Sequence, residues 1–102
     1  MKATLLALLA LSASASACAF YNDCHCYDKN GKPNNDATKK VCDDLGGTIK
    51  ADEREYGAGT SYNECEAKTF GGASSFQNCD WRKKCFEAGA TGADSSCRSK
   101  VP

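Results

Sequence analysis

Cys24-His25-Cys26 is the segment of this chain whose residue types come nearest to chemistry. Thiolate and imidazole are zinc ligands. His25 is the single histidine, so Cys–His or Ser–His–Asp catalysis would have to run through it. An extended backbone sends alternate side chains to opposite faces. In a strand, Cys24 and Cys26 share one face and His25 takes the other, which works against a shared metal. Glu64 and Glu66, on a neighbouring strand, are the carboxylates placed to partner His25 in acid–base work. Asp43-Asp44 and Asp52-Glu53-Arg54-Glu55 read as solvated acidic stretches, because a calcium loop needs spaced oxygen ligands that they do not provide. No catalytic residue, metal or cofactor is expected.

Eight cysteines stand at Cys18, Cys24, Cys26, Cys42, Cys65, Cys79, Cys85 and Cys97. Beyond Ala17 the large aliphatic residues are Val41, Leu45, Ile49 and Val101, joined by aromatics such as Phe20, Tyr56, Phe70, Phe76 and Phe86. Ordering a domain of this size costs on the order of 100 kcal/mol in conformational entropy. So thin an apolar set does not offset that alone. Four disulfides, at roughly 2–4 kcal/mol each, supply the missing constraint and require an oxidising compartment.

The N-terminus agrees with that compartment. Met1-Lys2 is a short basic start, Ala3 to Leu11 is a leucine-rich apolar run, and Ala15 and Ala17 offer small residues at the −3 and −1 positions of a cleavage site. This predicts a signal peptide over 1–17 and a single disulfide-rich domain over 18–102. Lipidation of Cys18 is the rival reading. It fits less well, because Ala15 is small for a lipoprotein signal and an odd number of cysteines would remain. The apolar run is too short to span a membrane. The 13 basic and 13 acidic residues balance; removing Lys2 leaves 12 − 13 = −1. No basic stripe addresses nucleic acid and no polybasic patch addresses anionic lipid. The chain is expected to be a monomer.

The elements that must position these residues follow from periodicity and punctuation. Phe20 to Asp28 reads as a strand, followed by a turn at Lys29 to Pro33. Asn34 or Asn35 caps a helix in which Ala37, Val41 and Leu45 recur every four residues with Cys42 on the same face, and Gly46-Gly47 ends it. Thr48 to Glu53 and Tyr62 to Lys68 read as strands. A second helix starts near Ser75 and runs to about Ala88. Ser95 to Val101 is a last strand. The order βαββαβ predicts an α+β, ferredoxin-like sandwich: a four-stranded antiparallel sheet in order 4-1-3-2, two helices on one face, stapled by disulfides. In that topology Cys42 faces Cys65. Cys79 and Cys85 face Cys24 and Cys26 in some order, and Cys18 and Cys97 remain to pair, which leaves two connectivities among the 105 that eight cysteines allow.

The Cys-x-Cys of the first strand, the Gly-Gly after the first helix and eight cysteines over βαββαβ resemble small secreted fungal effector candidates. In particular they resemble the group sharing the fold of the smut-fungus viral killer toxin subunits. The resemblance implies extracellular delivery by a plant-associated fungus, with a role as effector or virulence factor at the host interface or as a toxin against competing cells. It implies no catalytic residues. The neutral charge counts against a toxin, since such toxins are often strongly cationic. A small secreted enzyme such as a nuclease is the third and weakest class. Hydrophobins and plant lipid-transfer proteins are excluded, because both need adjacent Cys-Cys pairs and this chain has none. Tyr21, His25, Tyr27 and Tyr62 share the outer sheet face, which left uncovered would be a binding surface for a host or extracellular protein or glycan. Trp81-Arg82 on the second helix is the other candidate interface anchor.

Overall fold

The first helix forms where the sequence supplies both a start and a stop. The computed structural model describes residues 18–68 and 71–102; the expected signal peptide lies outside them. Helix α1 (Asn35–Leu45) is capped by Asn34, whose side chain accepts a hydrogen bond from Ala37 N, and Asp36 stands in the first turn against the positive end of the helix dipole. Gly46 closes the helix in the left-handed conformation, φ 70°. Gly47 then presses against the sheet: a Cβ there would lie 2.5 Å from Cys65 Sγ. Only glycine lets the chain turn this close to the sulfurs.

Strand β1 (Phe20–His25) is central. It pairs antiparallel with β3 (Tyr62–Glu66), which pairs with β2 (Thr48–Asp52) on one side, and with β5 (Ser96–Lys100) on the other. The four long strands thus take the order expected, with β5 as the fourth. A fifth, β4 (Phe76–Gln77), pairs with Phe20 and Tyr21. Tyr21 also pairs with Lys100 of β5, so β4 must share the other edge of β1 with β3. The protein is therefore an α+β fold with a five-stranded antiparallel sheet, two helices and four disulfides.

Strand β4 corrects the expected second helix. Phe76 and Gln77 extend the sheet, and α2 (Asn78–Glu87) begins after them without a side-chain cap. Burying Phe76 against Trp81, ring centroids 5.0 Å apart, outweighs the capping offered by Ser75.

All eight cysteines are paired. Cys42–Cys65 and Cys26–Cys85 tie α1 and α2 to the same sheet face. The other two pairs exchange partners relative to expectation. Cys24 joins Cys97, because β5 places them directly opposite, Cα atoms 4.1 Å apart. Cys18 joins Cys79. Ala19 exchanges two hydrogen bonds with Asn78, one to its side chain and one from its backbone, and this holds Cys18 against the first turn of α2. Between sheet and helices lie Cys24, Cys26, Ala37, Val41, Cys42, Cys65, Phe76, Trp81 and Cys85, all buried. Five of these nine residues are cysteines, as the scarcity of aliphatic residues requires. Four such bonds in so small a chain fit a secreted or extracellular setting. No helix among the described residues is long and apolar enough to cross a membrane.

Candidate functional site

The outer sheet face carries the residues with chemical potential, and three adjacent strands bring them together. His25 projects from β1, Glu64 from β3 and Arg98 from β5. His25 Nδ1 lies 3.0 Å from Glu64 Oε2, and His25 Nε2 lies 3.0 Å from the Tyr56 hydroxyl. In the neutral tautomer whose Nδ1–H donates to the carboxylate, Nε2 accepts from Tyr56. Arg98 Nη1 donates to the other Glu64 oxygen, and its Nη2 donates to Glu55 at 2.9 Å. Tyr56 meets the rings of His25 and Tyr62 edge to face, and His25 and Tyr62 are tilted against each other, centroids 4.5 Å apart.

A hydroxyl, an imidazole and a carboxylate in line resemble the relay of acyl-transfer enzymes. Two facts bear on this relay. His25 and Glu64 are both 0% exposed, and Glu64 is already neutralised by Arg98. Burial pushes the Tyr62 hydroxyl well above the usual tyrosine range, with the Glu64 charge adding to it. Burial does the same to Tyr56, the nearby Glu55 charge adding to it. Neither phenol is activated as a nucleophile. Burial opposes the charge on Arg98, but Glu64, Tyr62 and Glu55 together outweigh it and the guanidinium pKa stays above its ordinary value.

The segment 53–61 makes this cover. Asp52 accepts from the backbone N–H groups of Glu53 and Arg54 and from Arg54 Nε at 2.7 Å, which turns the chain back over the sheet. The Arg54 guanidinium holds the Asp52 carboxyl well below the usual carboxylate range. The acidic stretch expected to be a plain solvated face is thus partly a loop clasp. At the other end of the face the sheet stays open. Asp23, buried, accepts from Ser99 Oγ at 3.0 Å and pairs with Lys50 and Arg54, each at 3.4 Å. Lys50 also donates to Glu66 at 2.7 Å, and that bond raises its pKa. A cleft of about 450 Å³ adjoins, lined by Asp23, Glu66, Lys68, Ser74 and Ser99.

The outer aromatic face, a binding surface only if left uncovered, is therefore closed. His25 and Tyr62 lie on the face anticipated, but Tyr56 and its loop cover them. Tyr27 is tied down by the following turn: its hydroxyl accepts from Asp94 N, and its ring packs where a Cβ at Gly92 would stand at 2.6 Å. Tyr21 is half-buried against the core. Trp81 is 1% exposed and donates from Nε1 to the His25 carbonyl, so it is a packing residue and no surface anchor. Cys24 and Cys26 have their sulfurs in disulfides, and among the described residues no cluster of three His, Cys, Asp or Glu could hold a metal.

Arg82 is exposed, as an interface residue must be. One helical turn on stands Phe86, 75% exposed, a residue not singled out from the sequence as a binder. With Lys83 they line a groove of about 630 Å³ between α2 and the turn at Thr91 to Ala93. The signal lay in the helix period. Trp81 and Cys85 mark the buried face of α2, which turns Arg82 and Phe86, each one residue on, about 100° away from it and out of the core.

The chain matches no protein-family model, no curated protein and no solved structure.

Proposed function

We propose that this chain is a secreted, non-enzymatic interaction protein, an effector or virulence factor of the fungal kind its cysteine pattern resembles, acting at a host interface. The observation that carries the reading is Phe86. A phenylalanine left three-quarters exposed beside an exposed arginine, over a groove, is the arrangement that protein interfaces favour. The closed state of the outer face supports the non-enzymatic part, because no substrate atom reaches His25 past Tyr56 and Tyr62. Disulfides support the extracellular part.

The test is a pull-down from the extracellular fluid of a host plant, comparing the natural protein with a Phe86→Ser variant. A partner retained by the first and lost by the second is the expected result; equal retention would remove the patch from the reading. A growth-inhibition assay against fungi and bacteria stands beside it, and killing would move the protein to the toxin class. Unchanged function in His25→Ala protein that has kept its fold is expected for a non-enzyme.

A further inference from the structure

Cys18 is exposed, and its disulfide partner Cys79 lines the groove that holds Phe86. The two Cα atoms are 5.6 Å apart. The bridge therefore holds Cys18, the first residue after the expected cut, at the wall of the groove. Cutting there converts a neutral peptide nitrogen into an ammonium, since an α-amino group has a pKa of about 8. The groove wall carries Arg82 and Lys83 against Asp80, one positive charge in excess. A new ammonium doubles that excess beside a bare aromatic ring. Beyond the lining, Lys84 and Glu87 cancel along the helix, while Asp94 and Asp28, which binds Thr91, stand behind the far wall.

We infer that removal of the leader completes this groove as a docking site, in which the Cys18 α-ammonium, Arg82 and Lys83 surround Phe86 and receive an acidic peptide segment carrying an apolar side chain. The inference rests on the α2 surface being the interaction site. It adds the partner's chemistry and makes the position of the cut part of the site. The apolar side chain covers Phe86, and the partner's carboxylates meet the three cations around it.

The probe is a short fluorescein-labelled peptide of alternating Glu and Leu, with its Lys and Leu counterpart as control. The binding partners are protein starting at Cys18, protein carrying an N-acetylated Ser-Gly extension, and protein whose extension places a lysine next to Cys18. Intact mass confirms four bridges in each. The acidic peptide is expected to bind the Cys18 form in a salt-sensitive way, and the basic peptide not to bind. The acetylated extension weakens binding about two- to five-fold, the worth of one exposed charge, and the lysine extension restores it. An Arg82→Gln, Lys83→Gln pair weakens it about tenfold, and Phe86→Ser removes it. Equal binding of both peptides overturns the inference, as does an acetylated extension without effect or a lysine extension as weak as the acetylated one. The same extensions in the host-fluid pull-down separate the two claims. A partner captured through Phe86 by all three forms leaves the proposed function standing and removes this inference; loss of Phe86 dependence removes the proposed function itself.

Discussion

The two faces of the sheet solve the same shortage by different means. The inner face lacks aliphatic side chains and substitutes sulfur: the core under α1 and α2 is held by Cys26–Cys85 and Cys42–Cys65, with Trp81 and Val41 filling between them. The outer face has no helix over it and substitutes charge. Glu64, Arg98 and Glu55 form one chain of ion pairs, to which His25 is hydrogen-bonded through Glu64, and Asp23, Lys50, Glu66, Arg54 and Asp52 form another. A covalent bond holds whatever its surroundings, whereas a buried ion pair stabilises only while every member keeps its partner. The inner face is therefore where reduction should strike, and the outer face is where pH should be felt.

Reduction is the largest break. With all four bridges opened at neutral pH, the near-UV circular dichroism should collapse and protease should cut the chain freely, each bridge being worth about 2–5 kcal/mol. A reduced protein that still unfolds cooperatively would mean that the charged face carries more of the fold than described. Next comes Glu64→Ala in oxidised protein. It strands His25 and Arg98 without their acceptor, and denaturant unfolding should register a loss of about 3–5 kcal/mol. Glu64→Gln, which keeps an acceptor, should cost less; equal costs would place the loss in packing instead of pairing. Gly47→Ala probes the inner face more gently. Its Cβ would stand 2.5 Å from Cys65 Sγ, and the forced shift of α1 should cost about 1–3 kcal/mol. No loss there would mean that the bridge moves freely.

The smallest effect is alkaline. Tyr56 and Tyr62 have pKa values raised in the folded state, burial being the first cause. The neutral phenol is the form the fold favours. Its contribution is fully present below the unfolded tyrosine value of about 10 and is lost as pH rises through the folded values. Tyrosinate absorbance should show a late-titrating fraction, and stability should decline above about pH 10. Glu55→Gln should lower the Tyr56 titration alone. A single unshifted tyrosine titration would mean that the cover over His25 is open in solution.

Periodicity carried most of the architecture. Alternation in β1 and β3 assigned cysteines inward and His25, Tyr62 and Glu64 outward, and the four-residue recurrence of Ala37, Val41 and Leu45 defined α1. Two features escaped. A two-residue strand has no period of its own, and Phe76-Gln77 runs directly into α2, so one continuous helix is the natural reading. The closure of the outer face depends on where the segment 53–61 folds, which is a tertiary matter that glycines at positions 57 and 59 do not announce. A trace was present all the same. Lys50, Asp52, Asp23, Glu64, Glu66 and Arg98 place both signs of charge at alternate positions on four strands, a pattern suited to pairing with itself. The disulfide exchange came from register. Assigning Cys97 to a strand beside β1 does not say which residue it faces, and a shift by one face would have separated it from Cys24.

The bridges also impose a timetable. Cys42 and Cys65 are 23 residues apart and can join once the first two-thirds of the chain has emerged. The other three span 59, 61 and 73 residues, and each links the first few residues of the domain to its last third. Cys18, Cys24 and Cys26 must therefore wait, reduced and exposed, until nearly all of the polypeptide has left the ribosome. Central strand β1, first to be made, is among the last to be secured. Folding of this protein is an event after synthesis, and its yield will follow the supply of oxidant and isomerase in the compartment that receives it.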